Sequence, residues 1–307
     1  MQVSTNYLFD RASAQMSQIQ NDLAKSQAQI SAQKQVLNPS DAPDQAAAIT
    51  RLKSVIGRNE NYANTLNTID TRLSTEDSTL SSASDILIRL KELAIQANND
   101  TQDSTSRAAI ATEMKALRDQ LLSLANSTDT NGNYLFSGSK VRTPAFTADA
   151  TGAVSYQGDQ TRMHVAIGDQ RAIAVNRPGT NAFVRVVRTA ADGTTSGTGF
   201  FQSIDDLIAG VKTANSTAMQ RGLTEMDALH QGVVLTQADV GVDLKVNDQQ
   251  RSILEDTKLT LKTALSSVED LDMASAITQM QKQLLSLEAA QNSFAKVSQL
   301  SLFNYLK

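Results

Sequence analysis

The sequence predicts a mainly α protein: an antiparallel rod of long coiled-coil helices, with both termini paired at one end and a small inserted β-rich domain at the other. Three observations predict it. Apolar residues recur every seven positions near both ends and through much of the 307-residue chain. No proline follows Pro178, so long uninterrupted helices are allowed there. Between about 131 and 202 the composition shifts to glycine, threonine and short β-branched runs, which are typical of strands.

The first helix is predicted over 7–37. Its apolar residues form a narrow seam among Gln, Ser, Asn and Lys: Met16, Ile19, Leu23, Ile30 and Leu37. So narrow a seam buries too little surface for the helix to fold alone, and it therefore needs a partner helix. We place a boundary at 38–43, where Pro39 and Pro43 restrict the residues before them.

A second helix is predicted over about 44–98, followed by a turn and a shorter helix that folds back as an αα-hairpin. Another seven-residue series runs from Met226 to Val268. Asn59 and Asn247 each interrupt one of these series. A buried Asn at such a position fixes the register of a coiled coil, and the alternative is a solvated notch. If the two helices are antiparallel, we expect the two Asn side chains to be close together.

The β-rich segment contains four predicted strands, 154–156, 162–167, 172–175 and 183–187, separated by turn residues. A small antiparallel domain fits them. The glycine-rich run 193–199 lacks the Gly-Lys-Ser/Thr of a phosphate-binding loop, and we expect a flexible loop there.

The C-terminal stretch carries a seam similar to that of the N-terminus, made of Met273, Ile277, Met280, Leu284, Leu287 and Phe294. Near the end Leu300, Leu302 and Phe303 widen the apolar surface beyond what one helix pair needs, which favours assembly with other copies. All of these seam residues are the predicted assembly interface. The predicted domains are a terminal assembly domain (1–42 and 270–307), a helical rod (43–135 and 203–269) and an outer β-rich domain (136–202).

Composition argues against several functions. The formal net charge is −4, with 28 Lys and Arg against 32 Asp and Glu, so no basic field attracts a nucleic acid. The chain has no Cys and only two His, which leaves few groups for catalysis or for a metal. We expect no enzyme, no cofactor and no metal. We also expect no membrane insertion and no cleavable signal peptide, since no long apolar run is present.

Several segments resemble the flagellin superfamily and, within it, the hook-filament junction proteins. They are Val3-Ser4-Thr5-Asn6 with the heptad that follows, Asn38 to Ala47 with its Pro-Ser-Asp-x-Pro run, Asn131 to Gly138, Val154 to Asp159, and Leu300 to Leu306. Flagellins usually carry an Arg-Leu-Ser-Ser-Gly-like stretch before the boundary, whereas this chain has Ala32 to Leu37. That departure argues against the main filament subunit.

The resemblance implies a structural adaptor that joins the hook, through another hook-associated protein, to the flagellin filament by assembling into a ring. It also implies export, largely unfolded and with a chaperone, through the flagellar type III channel to the extracellular flagellum. Two alternatives stay open: a short flagellin that forms the filament itself, and a secreted surface-binding module that acts through its β domain. An exposed aromatic cleft in 136–202 would favour the latter.

Overall fold

The structure, a computed structural model, describes residues 2–99, 101–189 and 195–305, with side chains for 7, 9–99, 101–188 and 195–296. The helices within these ranges are α1 (Gln2–Ala32), α2 (Pro43–Ala97), α3 (Ser104–Ala125), α4 (Gly179–Ala182), α5 (Phe200–Lys212), α6 (Ser216–Glu269) and α7 (Met273–Tyr305). The strands are β1 (Phe146–Ala148), β2 (Val154–Tyr156), β3 (His164–Ala166), β4 (Ala172–Ala174), β5 (Val186–Thr189) and β6 (Thr195–Thr198). The predicted mainly α class with long antiparallel helices is confirmed.

The chain divides into two compact units. Unit 1 comprises Met1–Asn59 and Glu255–Lys307, and unit 2 comprises Glu60–Leu254. Unit 1 therefore contains α1 and α7 with the first turns of α2 and the last turns of α6. Unit 2 contains the strands, α3, α4, α5 and the longer parts of α2 and α6. The three-domain division expected from the sequence stays a prediction.

Inside unit 2, α2 and α6 run antiparallel. Asn247 of α6 donates from Nδ2 to the carbonyl oxygen of Leu66 at 3.3 Å, and Ser84 Oγ lies 3.0 Å from His230 Nε2 further along. The seven-residue series of α2 faces the core, since Leu66, Leu73, Leu80 and Leu87 are at most 1% exposed. Asp103 caps the returning helix α3 by accepting a hydrogen bond from the amide of Ser106 at 2.7 Å. Arg89 of α2 donates to the carboxylate of Glu113 of α3 at 2.9 Å, so α3 folds back on α2 and the predicted αα-hairpin is confirmed.

The described strands of unit 2 form three separate antiparallel two-stranded sheets, β1–β2, β3–β4 and β5–β6. Three of the four predicted strands are found, with small differences in their ends. The fourth, predicted over 183–187, is wrong at its start because Phe183 terminates the short helix α4. The predicted loop at 193–199 is also wrong in part, because 195–198 pairs with β5 as β6.

The aromatic rings of unit 2 pack with one another beneath the strands. Phe146 lies edge-on to Phe183 with ring centroids 5.3 Å apart, and Phe183 contacts Phe200 at 5.1 Å. Phe136, Phe146, Phe183, Phe200 and Phe201 are each at most 6% exposed. These rings belong to the core, so they form no exposed cleft of the kind that a surface-binding module would need.

Two of the segments that carry the family resemblance are locked together. Gly138 has a φ of 72°, and a Cβ at this position would collide with Asp159. The Asp159 carboxylate accepts hydrogen bonds from the Ser139 amide at 2.9 Å and from the Ser139 hydroxyl. Tyr156 donates its hydroxyl to the carbonyl oxygen of Asp159 at 2.7 Å. The motif residues therefore hold the 131–139 and 154–159 segments in one conformation.

Candidate assembly interface

The terminal helices α1 and α7 of unit 1 pair antiparallel, as the two seams predict. Phe9 and Phe294 meet edge-to-face with ring centroids 5.0 Å apart, and Ser26 Oγ donates to Gln283 Oε1 at 2.9 Å. At the other end of the pair, Lys34 and Asp270 form an antiparallel bridge. Each helix thus supplies the partner that the other needs.

The seam between α1 and α7 is only partly buried. Of the described side chains in these two helices, no apolar one reaches the burial found in unit 2. The half-buried members of the predicted interface are Met16, Ile19, Leu23, Ile30, Met273, Met280, Leu287 and Phe294. Ile277 and Leu284 remain 40% exposed. One helix pair therefore leaves apolar surface that a neighbouring chain would cover.

An apolar groove of about 540 Å³ runs along the pair near the N-terminal half of α1. Its lining residues include Ala12, Met16, Ala289, Ala290 and Phe294. Another apolar side chain on α7, Leu285, is 69% exposed. The seven-residue pattern does not identify Leu285, because this residue lies next to the series rather than in it.

A buried carboxylate holds the base of the terminal pair. Glu269, the last residue of α6, is 7% exposed, and its Oε1 lies 2.8 Å from the ammonium groups of both Lys34 and Lys53. Its hydrogen bonds to Lys34 and Lys53 hold the pKa of the Glu269 carboxyl below its usual range, and that carboxylate raises the pKa of Lys34. No signal in the sequence identifies Glu269, because residues 34, 53 and 269 share no pattern along the chain.

The backbone beside Glu269 explains a correction to the predicted first helix. α1 ends at Ala32, five residues before the predicted end, because Gln33 adopts a positive φ of 55°. The Gln35 amide then donates to the carbonyl oxygen of Glu269 at 2.9 Å, and the Leu271 amide donates to that of Gln33 at 3.1 Å. Leu37 consequently lies outside the helix, half-buried, and does not continue the α1 seam.

The remaining predicted site residues are three apolar residues near the C-terminus and the two Asn residues of the long helices. Leu300, Leu302 and Phe303 lie in α7, but their side chains are outside the described ones. Asn247 is fully buried, so it is not a solvated notch. Asn59 belongs to the other unit, and its proximity to Asn247 stays a prediction. The assembly role of all these residues is likewise still a prediction.

The described residues offer little for other chemistry. No three His, Asp or Glu side chains among them are grouped closely enough to hold a metal ion. No described helix combines the length and apolarity that crossing a membrane requires. His164 is exposed on β3, and His230 is engaged by Ser84. Within this part of the chain, the open face of the α1–α7 pair is the strongest candidate for function.

The chain is similar to known flagellar proteins, both in its N-terminal helices and along its whole length. The family model described as the bacterial flagellin N-terminal helical region matches residues 3–141, which contain α1, α2 and α3. Flagellar hook-associated protein 3 of Salmonella typhimurium is 28% identical over an alignment that covers 99% of each chain. A flagellin of Listeria monocytogenes is 24% identical, with 92% of this chain and 90% of that one aligned.

A crystal structure of FlgL from Xanthomonas campestris has the same fold. It superposes with a TM-score of 0.62 at 24% identity and covers 71% of this chain and 99% of that one. The family model and the similarity to hook-associated protein 3 confirm the resemblance to the flagellin superfamily that the motif residues predict.

Proposed function

We propose, from similarity to flagellar hook-associated protein 3 along its whole length, that this chain is a structural junction protein of the bacterial flagellum. It connects the hook, through another hook-associated protein, to the flagellin filament by assembling into a ring. The observation that carries the proposal is the alignment over 99% of both chains. The departure at Ala32 to Leu37 from the usual flagellin pattern also favours the junction role over that of a filament subunit.

The half-buried α1–α7 pair supports the assembly step. Apolar burial contributes roughly 25 cal/mol per Å², so a neighbouring chain that covers Ile277, Leu284 and Leu285 gains free energy that the single chain cannot gain alone. The pair is also weak enough to be unfolded for export and ordered on assembly. Folding of the ends and assembly of the ring are coupled in this proposal.

The partners in this proposal are other copies of the chain, a neighbouring hook-associated protein, flagellin and an export chaperone. The location is the extracellular flagellum, reached through the flagellar export channel. The protein acts as a connector and not as an enzyme. Its net charge of −4 argues against nucleic acid as a partner.

Deletion of the gene tests the proposal, with electron microscopy of the cell surface and an assay of flagellin in the medium. We expect hooks without filaments and flagellin released into the medium. Normal filaments would contradict the junction role, and loss of the flagellin protein itself would identify the chain as the filament subunit.

Complementation of the deletion tests the interface. Leu284→Asp places a charge on the open face of α7, and we expect it to leave the cells without filaments. Gln279→Asp, at an exposed position of the same helix that lies about 140° around the helix axis from Leu284, is the matched control and should restore filaments. Secretion of both variants at wild-type level would exclude an export defect.

A further inference from the structure

A buried cluster of charges in unit 2 has no part in the proposed assembly. Glu76 of α2 is fully buried, and Arg177, just before the short helix α4, is 2% exposed. Arg177 Nη2 donates to the carbonyl oxygen of Asp239 at 2.8 Å and also contacts the carboxylate of Asp243, both on α6. The cluster therefore links α2, α6 and the segment that follows β4.

Glu76 and Arg177 face each other without a hydrogen bond. Arg177 Nη1 lies 3.8 Å from Glu76 Oε1, beyond the roughly 2.7–3.2 Å of an N–H···O bond. Both carboxylate oxygens of Glu76 and both Nε and Nη1 of Arg177 are buried without a partner among the described residues. Four buried polar atoms without hydrogen bonds cost free energy unless another molecule satisfies them.

A second ion pair in the same unit, between the half-buried Arg188 and the buried Glu225, forms direct hydrogen bonds. Arg188 Nε and Nη2 donate to the two carboxylate oxygens of Glu225, each at 2.8 Å. Arg188 has the same guanidinium group as Arg177 and a carboxylate partner of the same kind. The open distance at Arg177 is therefore a property of that site and not of such pairs in general.

The charges around Glu76 decide which kind of molecule can satisfy these unpartnered atoms. Arg177, Arg72 and Arg162 contribute positive charge, whereas Asp243 and the Asp129 that pairs with Arg72 contribute negative charge. An anion would meet the Glu76 carboxyl, and a cation would meet the guanidinium groups. A neutral molecule is repelled by neither group, and it can both donate a hydrogen bond to the carboxyl and accept one from the guanidinium.

We propose that this cluster is a binding site for an internal water molecule, which donates hydrogen bonds to Glu76 and accepts them from Arg177. Buried waters typically make about three such bonds to otherwise unsatisfied groups. The bound water completes the link between α2 and the Arg177–Asp243 pair of α6. Burial raises the pKa of Glu76 to about 7, so the bridging water serves both protonation states near neutral pH.

A crystal structure of the full chain, at a resolution that shows ordered water, tests the site directly. We expect a peak within about 3.2 Å of a Glu76 oxygen and of Arg177 Nε or Nη1. The Arg188–Glu225 pair in the same crystal is the control and should show direct bonds only. A direct Glu76–Arg177 bond with no peak between them would overturn the proposal, as would bromide at this position after a bromide soak.

Two variants extend the test to solution, where water oxygen-17 relaxation dispersion counts long-lived internal waters. Glu76→Gln keeps the shape of the side chain and an acceptor oxygen, so the number of long-lived internal waters should equal that of the wild type. Glu76→Met replaces the carboxylate with an apolar side chain, so the number of long-lived internal waters should fall by one. An unchanged count in a folded Glu76→Met protein, or a loss already in Glu76→Gln, would contradict the water site.

Discussion

Apolar residues at the same seven-residue spacing are buried to different extents in two regions of the molecule. In unit 2, Leu73 and Leu80 of α2 are fully buried, whereas Leu23 of α1 and Met280 of α7 are only half-buried in unit 1. The spacing fixes which face of a helix is apolar in both regions. How far that face is buried depends on how many other elements cover it, and α1 and α7 form a single pair.

The contrast predicts the largest loss of stability for a substitution in the closed core. Leu80→Ala should lower the free energy of unfolding by about 2–5 kcal/mol, because it leaves a cavity that its neighbours cannot fill. Leu285→Ala, at a position 69% exposed on α7, is the control and should change it little. Urea unfolding followed by circular dichroism measures both, and equal losses would contradict the contrast.

Glu76→Gln should stabilise the protein, and only at high pH. The pKa of Glu76 is about 7 in the folded protein and near 4.5 in the unfolded chain, so the folded state binds this proton more tightly. Stability is therefore lost as the pH rises from about 4.5 to about 7.

The neutral amide of Glu76→Gln avoids this loss. The free energy of unfolding of the variant should therefore exceed that of the wild type by on the order of 3 kcal/mol at pH 8 and by almost nothing at pH 4.5. Urea unfolding at the two pH values provides the measurement. A gain that is independent of pH would show that Glu76 does not titrate in this range.

In the 131–139 segment of unit 2, substitution by alanine should reduce stability strongly at one glycine and only slightly at another. Gly138→Ala forces a side chain into a positive φ and against Asp159, and we expect a loss of about 2–3 kcal/mol. Gly132→Ala meets a similar φ of 75° in open space, so it should cost about 1 kcal/mol. Thermal unfolding of the two variants separates the effect of the collision with Asp159 from the effect of backbone strain. Equal losses of stability would show that the collision contributes nothing.

Glu269→Gln should act locally, within unit 1. The neutral amide removes the negative charge that attracts the ammonium groups of Lys34 and Lys53. Both lysines are half-exposed, so global stability should change little. Amide hydrogen exchange at Gln35 and Leu271 should become several-fold faster, because their bonds join the same segments. Glu288→Gln, an exposed position on α7, is the control, and equal exchange in both variants would count against the Glu269 link.

The smallest effect on the single chain is expected in the terminal seam. Leu23→Ala removes a half-buried side chain, so the unfolding of the monomer should change by less than about 1 kcal/mol. Assembly should nevertheless fail, since the same side chain is part of the proposed contact surface. Unfolding and sedimentation of the same preparation test both statements, and normal assembly would argue against the seam as the interface.

The sequence predicts much of this fold because its strongest signals are local. Heptad spacing and the absence of proline after Pro178 identify the long helices, and turn residues separate most strands. What it misses depends on contacts between distant segments. Leu37 continues the spacing, but the Gln33 turn and its bonds to 269–271 end α1 first. Strand β6 lies in a Gly-Thr run, which becomes a strand only through pairing with β5.

The candidate site was predicted to a similar degree. The seam on each terminal helix and the antiparallel pairing follow from periodicity. Glu269 does not, because a buried carboxylate that serves two lysines is visible only once three chain segments meet. Glu76 is hidden for the same reason, since nothing near it along the chain marks it as a partner of Arg177.

The three two-stranded sheets of unit 2 share no strand, so each hairpin closes its own ladder of hydrogen bonds. Lengthening the turn 149–153 or the turn 167–171 would change one hairpin and leave the pairing of the others in register. This part of the fold can therefore vary in length, one hairpin at a time, while the Phe146 and Phe183 rings beneath it stay packed. Related chains are expected to differ most in the size of these hairpin tips.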